Sequence, residues 1–189
     1  MADLSSLLAI SPIDGRYKKS LSYLSSYFSE FALIKYRVHV EIEYFIALST
    51  LELFTLSKSN AKKIQQIAIR FSAEDALQIK KLEQTTNHDV KAVEYFLKDK
   101  LEKIGLQSLV EWIHFGLTSQ DINNTAIPML WRDAIQKEYH PQVEKIITSM
   151  AQFANEWKSI SLLARTHGQA ASPTKLGKEM LVFVDRLQH

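Results

Sequence analysis

Apolar residues recur every three or four positions along most of this chain, the spacing of helices with one buried face. Phe31, Ile34, Val38, Ile42, Phe45 and Leu48 form the first such stripe, and Ala61, Ile64, Ile67 and Phe71 a shorter one. Ser72 and Asp75 then have the spacing of a helix start, followed by Leu77, Ile79 and Leu82. After Thr85–His88 the period resumes with Val90, Val93, Phe96, Leu97 and Leu101, and Gly105 breaks it. Ser108 with Glu111 predicts a capped short helix carrying Trp112 and Phe115, ended by Gly116. Thr118 with Asp121 predicts another cap, opening a long helix through Ile122, Ala126, Leu130, Ala134 and Ile135 that Pro128 is expected to kink. A further long helix follows Pro141, through Val143, Ile146, Met150, Phe153 and Trp157. Residues 161–174 lose the period and contain Gly168 and Pro173, so they read as a loop with an extended start. Helix returns with Leu176, Met180, Phe183, Val184 and Leu187, and its period reaches the last residue without a glycine or proline stop.

These elements predict an all-α fold. Residues 1–115, with short and interrupted helices, read as a small N-terminal helical domain. Residues 116–189 read as the first part of a domain of long helices packed as a bundle. The unstopped final helix makes truncation the expectation.

Composition narrows the function classes. The 189 residues carry a net charge of +2 with no Lys/Arg block, which speaks against a nucleic-acid or membrane-surface protein. No apolar run approaches the ~20 residues of a membrane span, and the first residues lack the basic start of a secretory signal. A cytoplasmic protein is therefore expected. With no cysteine, disulfides and thiolate metal sites are excluded, and none of the six histidines forms a metal-ligand pair by local spacing. GxGxxG, P-loop, GxSxG and HExxH motifs are absent.

Three polar clusters fall at helix junctions. In Asp14–Gly15–Arg16–Tyr17, Gly15 allows a sharp turn and Arg16 offers a fork for phosphate or carboxylate; a surface turn with a salt bridge fits as well. In Thr85–Thr86–Asn87–His88–Asp89, Thr86 or Asn87 can cap the following helix and Asp89 suits its positive end. His88 is surplus to a cap and could add a donor to an anion site there. In Arg165–Thr166–His167–Gly168–Gln169, an imidazole that titrates near neutrality sits in a loop beside hydrogen-bonding side chains. Thr118 and Ser119 open a helix upstream, where a carboxylate could be held, although Thr118 also suits a plain cap. His114, between Ile113 and Phe115, reads as a core histidine with one hydrogen bond; His39 and His140 read as solvated. Tyr44, Phe45, Trp131 and Trp157 read as core.

The strings SPIDGRY, TTNHDVKAVEYFL, WIHFGLTSQDINN and LLARTHGQAASP, in this order and spacing, resemble the bacterial adenylosuccinate lyases, and the resemblance covers essentially the whole chain. The THGQ-like and TS-like segments are shared with the wider fumarase/aspartase and argininosuccinate lyase superfamily; the first two strings are more specific. The resemblance implies an all-helical, cofactor-free homotetramer that eliminates fumarate from adenylosuccinate, giving AMP, and from SAICAR, giving AICAR. It implies that Arg16 and Tyr17 contact the nucleotide phosphate, that His88 with Asn87 and Asp89 orients substrate, and that Thr118 and Ser119 hold a succinyl carboxylate. Thr166 and Gln169 would bind substrate beside His167, which resembles the general acid. The family's base is a serine in a loop resembling SSxMPxKxN, a string not found in these residues. The resemblance thus implies that this 189-residue piece alone is inactive. Gln120 stands where related proteins often carry an acidic residue. Two other readings remain: another fumarate-releasing lyase, such as argininosuccinate lyase, and a non-catalytic helical interaction module.

Overall fold

The computed structural model describes residues 8–189; the start of the chain, read above as lacking a secretory signal, lies partly outside them. The chain divides into two compact units, Met1–Arg132 and Asp133–His189.

The first unit opens with turns and a 3₁₀ turn at Ser22–Leu24, then α1 (Ser25–Phe28), α2 (Glu30–Ser49), α3 (Lys58–Ile69), α4 (Ala73–Thr86) and α5 (Asp89–Lys103). A 3₁₀ segment, Gln107–Trp112, leads to α6 (Ser119–Ala134), within which the division falls. The stripe predicted from Phe31 to Leu48 is the buried face of α2. It packs with Ile64, Phe71, Ile79, Val93, Phe96 and Leu101 into one core. A second cluster of Val40, Val90, Ile122 and Ala126 ties the first turn of α5 to α6. That contact fixes where the polar starts of these two helices lie.

Local chemistry sets the helix ends. Ser29 Oγ accepts from Ala32 N–H at 3.1 Å to start α2. Ser72 and Asp75 form the reciprocal box predicted for α4. Ser108 and Glu111 do not: the 3₁₀ segment has no side-chain cap. Glu111 instead pairs with Lys98 on α5 at 3.1 Å, so a tertiary ion pair takes the carboxylate the local cap would have used. α6 stays helical through Pro128, whose ring lies on the exposed side. Trp131, expected in the core, is exposed and meets Phe28 edge-on at 5.0 Å.

The second unit begins in the last turn of α6. A π-helical turn, Ile135–Tyr139, precedes α7 (His140–Glu156), which carries Pro141 in its first turn. Proline lacks the N–H that would reach back one turn, and a widened turn just before it relieves the ring's clash with the preceding carbonyls. Residues 161–174, expected as a loop, form a two-stranded antiparallel hairpin, β1 (Ser161–Thr166) and β2 (Gln169–Lys175). The extended start had been legible, but the return strand QAASPTK is poor in β-branched residues. His167 and Gly168, at φ +51° and +77°, make the turn. Positive φ at both central positions is the geometry of the tight hairpin turn that matches strand twist. α8 (Leu176–Gln188) then packs on α7, where Gly177 lies so close that an added Cβ would stand 2.1 Å from the Ala154 carbonyl oxygen. None of the described helices is long and apolar enough to cross a membrane.

Candidate active site

The helix break between α4 and α5 is made by Asn87, which takes the left-handed conformation (φ +49°) and closes α4 with its N–H on the Glu83 carbonyl. Asparagine tolerates that conformation better than most residues. His88 then turns back to extended backbone and caps α5, its Nδ1 accepting the Lys91 N–H at 3.2 Å. The expectation that Thr86 or Asn87 caps this helix and that His88 is spare is corrected: the imidazole is the cap. Thr86 instead braces the corner, its hydroxyl donating to the His88 carbonyl at 3.1 Å.

With Nδ1 engaged, the other ring nitrogen points outward. His88 Nε2 lies 3.3 Å from Ser119 Oγ at the start of α6. Beside it, Asp121 Oδ2 accepts from both Thr118 N–H and Thr118 Oγ at 2.7 Å, which closes the α6 start as the Thr118/Asp121 spacing predicts. The Thr118 N–H, with its hydroxyl, holds the Asp121 carboxyl below the usual carboxylate range. Gln120 donates to Asn124 along the helix at 2.6 Å and does not join the pair. Two helix N-termini, each with a positive end, thus meet around His88 and Ser119, both open enough for a ligand to reach.

Two charged side chains in the wall behind were missed by sequence reading. Arg37, buried on α2, places Nη2 2.7 Å from Asp89 Oδ2 and donates through Nε to Asn123 Oδ1 at 2.9 Å. It therefore joins the first residue of α5 to α6. Partial burial pushes the Asp89 carboxyl up, but the Val90 N–H and the Arg37 charge together hold it below the ordinary value. Glu41, one turn further along α2, is fully buried and lies 2.5 Å from His114 Nδ1. Its second oxygen has no hydrogen-bond partner among the described residues, and burial pushes the carboxyl up despite the histidine's hydrogen bond and charge. A signal for both was in the sequence: Arg37 and Glu41 interrupt the apolar face at helical spacing from Ile34 and Val38. His114 is the mostly buried histidine expected, and His39 is half-buried, less solvated than expected.

The other predicted residues lie elsewhere. Arg16 and Tyr17 are exposed in a run of turns around the buried Gly15, with the guanidinium over the Tyr17 ring at 5.6 Å. Among the described residues, no hydrogen bond or ion pair joins them to His88 or Ser119. A cavity of about 550 Å³ lies beside this segment, lined by Ile13, Asp14, Lys18, Leu21, Phe28 and Trp131 among others. Thr166, His167 and Gln169 belong to the second unit. There Thr166 and Gln169 are paired across the hairpin and His167 is exposed at its tip, with Arg165 reaching over the turn to the Gly168 carbonyl at 3.4 Å. The turn leaves the imidazole exposed to solvent. No group of three or more potential metal ligands forms among the described residues.

Residues 15–189 match the family described as lyase. The chain is 55% identical to adenylosuccinate lyase of Dictyostelium discoideum, 44% to that of Vibrio cholerae and 41% to that of Escherichia coli K12. Each comparison covers 98% of this chain but 42% of the relative, so the chain spans about two fifths of the curated relatives it matches. Among solved structures, a fumarate lyase from Mesorhizobium sp. BNC1 superposes with a TM-score of 0.70 at 20% identity, covering 88% of this chain and 37% of that one. A 3-carboxy-cis,cis-muconate lactonizing enzyme from Pseudomonas putida gives 0.64 at 21% identity, over 88% and 39%. At that identity these two show a shared fold and nothing further.

Proposed function

We propose, from the premise that this chain belongs to the lyase family, that it is part of an adenylosuccinate lyase. The whole enzyme would release fumarate from adenylosuccinate to give AMP, and from SAICAR to give AICAR, without metal or organic cofactor, as a cytoplasmic homotetramer. The observation that carries the reading is the meeting of His88 and Ser119 at two helix N-termini, in a chain 41–55% identical to enzymes of that name.

In this reading the polar starts of α5 and α6 grip the anionic end of substrate. Thr118 and Ser119 hold a succinyl carboxylate, and His88, flanked by Asn87 and Asp89, orients the substrate. Arg16 and Tyr17 take the nucleotide phosphate. β-Elimination must protonate a poor nitrogen leaving group, and His167, between Thr166 and Gln169, gives that proton. Fixed donors on the carboxylate stabilise the carbanion-like charge formed when the carbon-bound proton is removed. The base comes from residues beyond those of this chain. Residues 1–115 form the N-terminal domain and 116–189 the first part of the long-helix domain. The exposed apolar residues Ile127, Ile146, Phe153 and Phe183 support assembly, since such surfaces are commonly covered by partners.

The test compares the 189-residue chain with a protein carrying the remaining length of its relatives. The longer protein should release fumarate from adenylosuccinate and not from argininosuccinate, and the short chain should release none. Release from argininosuccinate alone would favour the other superfamily enzyme. Absence of fumarate release from either substrate by the longer protein would favour a non-catalytic module.

A further inference from the structure

Arg37 stands behind the His88–Ser119 pair without touching it, and its contacts bear on which ring nitrogen of His88 carries the proton. Nδ1 accepts the Lys91 N–H, so in the neutral ring the proton resides on Nε2, facing Ser119 Oγ. A competitor for that arrangement sits next door. Asp89 Oδ1 lies 3.7 Å from Nδ1, too far for a hydrogen bond and close enough to reach one by a side-chain rotation. Two contacts restrain the carboxylate. Oδ1 accepts the Val90 N–H at 2.9 Å, and Oδ2 is held by Arg37 at 2.7 Å. Arg37 is in turn fixed by burial and by its Nε bond to Asn123, one turn beyond Ser119 on α6.

We infer that Arg37 is a positioning residue that holds Asp89 away from His88 and thereby keeps the neutral imidazole in its Nε2–H form, a donor aimed at the start of α6. Without the guanidinium, Asp89 is an uncompensated carboxylate beside an imidazole lone pair, and moving the ring proton to Nδ1 gives up the Lys91 cap bond for a stronger, charge-assisted hydrogen bond to that carboxylate. The proton then leaves Nε2. Its lone pair faces Ser119, and an anion arriving between the two meets repulsion where it had met a donor. Arg37 is thus tied to the site through Asp89. The inference rests on the reading above for the role of His88 in binding, but its test needs no turnover.

The test is nitrogen NMR of the histidine-labelled chain at alkaline pH, where the imidazole is neutral, with the His88 signal assigned by its loss in His88→Gln. The intact chain should show His88 as the Nε2–H form. Arg37→Met should shift the tautomer ratio toward Nδ1–H by about tenfold or more, the scale of one charge-assisted hydrogen bond. Arg37→Lys, which keeps a cation on Asp89, should restore Nε2–H, as should Asp89→Asn added to Arg37→Met. An Nδ1–H form in the intact chain overturns the inference, and so does an unchanged ratio in folded Arg37→Met. Arg37→Gln keeps hydrogen bonding without charge and is the second neutral variant, with the same shift expected. If neither neutral variant folds, Arg37 serves the fold and the positioning role is overturned. Because the readout is a tautomer, it can hold or fail whatever substrate the longer protein takes.

Discussion

The unit ending at Arg132 buries the apolar face its sequence announces, whereas the unit starting at Asp133 leaves part of its own exposed. Val38, Ile42, Phe45 and Phe96 are sealed in one core. In the second unit, several of the large apolar residues on α7 and α8 that the same periodicity marks are exposed: Phe153 is 41% exposed and Phe183 51%. On α7 and α8 the buried residues are Ile147, Ala154, Gly177 and Val184, a thin seam where the two helices touch. The two halves read alike as helical stripes, so periodicity reports which face is apolar and not what covers it. One region has its core within the chain, and the other presents apolar surface of the kind partners cover.

The largest effect that sharpens this contrast is in the core. Phe96→Ala should cost about 3–5 kcal/mol, seen as a lower urea midpoint for the first unit, while Phe183→Ala should move stability by within about 0.5 kcal/mol. Equal losses would erase the distinction. Next is the seam. Gly177→Ala places a Cβ against the Ala154 carbonyl, and overpacking of this kind costs about 1–3 kcal/mol. Hydrogen exchange should speed up in α7 and α8 and leave α2 and α5 unchanged.

A smaller effect concerns the buried acid of the first unit. Burial raises the Glu41 carboxyl above 4.5, so the folded state favours the protonated form. Its contribution is complete below pH 4.5 and declines as pH rises through the raised folded value. In Glu41→Gln that decline should vanish, giving a flatter stability curve above pH 4.5 by denaturant titration at several pH values. The smallest is at a cap: Ser72→Ala should cost about 1 kcal/mol, measurable as a modest shift in the same urea midpoint.

The sequence made most helices legible because their stripes are long and their breaks are marked by Asn87, Gly105 and Gly116. It concealed three things for physical reasons. The hairpin at residues 161–175 was hidden by a return strand rich in alanine, serine and proline, which carries little strand preference. The role of His88 was hidden because a ring nitrogen can accept a cap hydrogen bond, a task read for the hydroxyl and amide side chains beside it. Arg37 and Glu41 interrupt an apolar face in the sequence, but what they do was hidden because their partners, eighty-six and seventy-three positions away at Asn123 and His114, are brought alongside only by folding. Of the candidate residues that the sequence named, the hairpin tip exposes His167, and the first unit gathers His88, Thr118 and Ser119. The lining behind them came only from packing.

The most direct measurement is single-turnover fumarate release from adenylosuccinate by the longer protein, with and without His167→Ala. If the imidazole at the hairpin tip supplies the proton for the leaving nitrogen, the rate should fall by about 10²–10⁴ while substrate still binds. An unchanged rate in a folded variant would contradict the account.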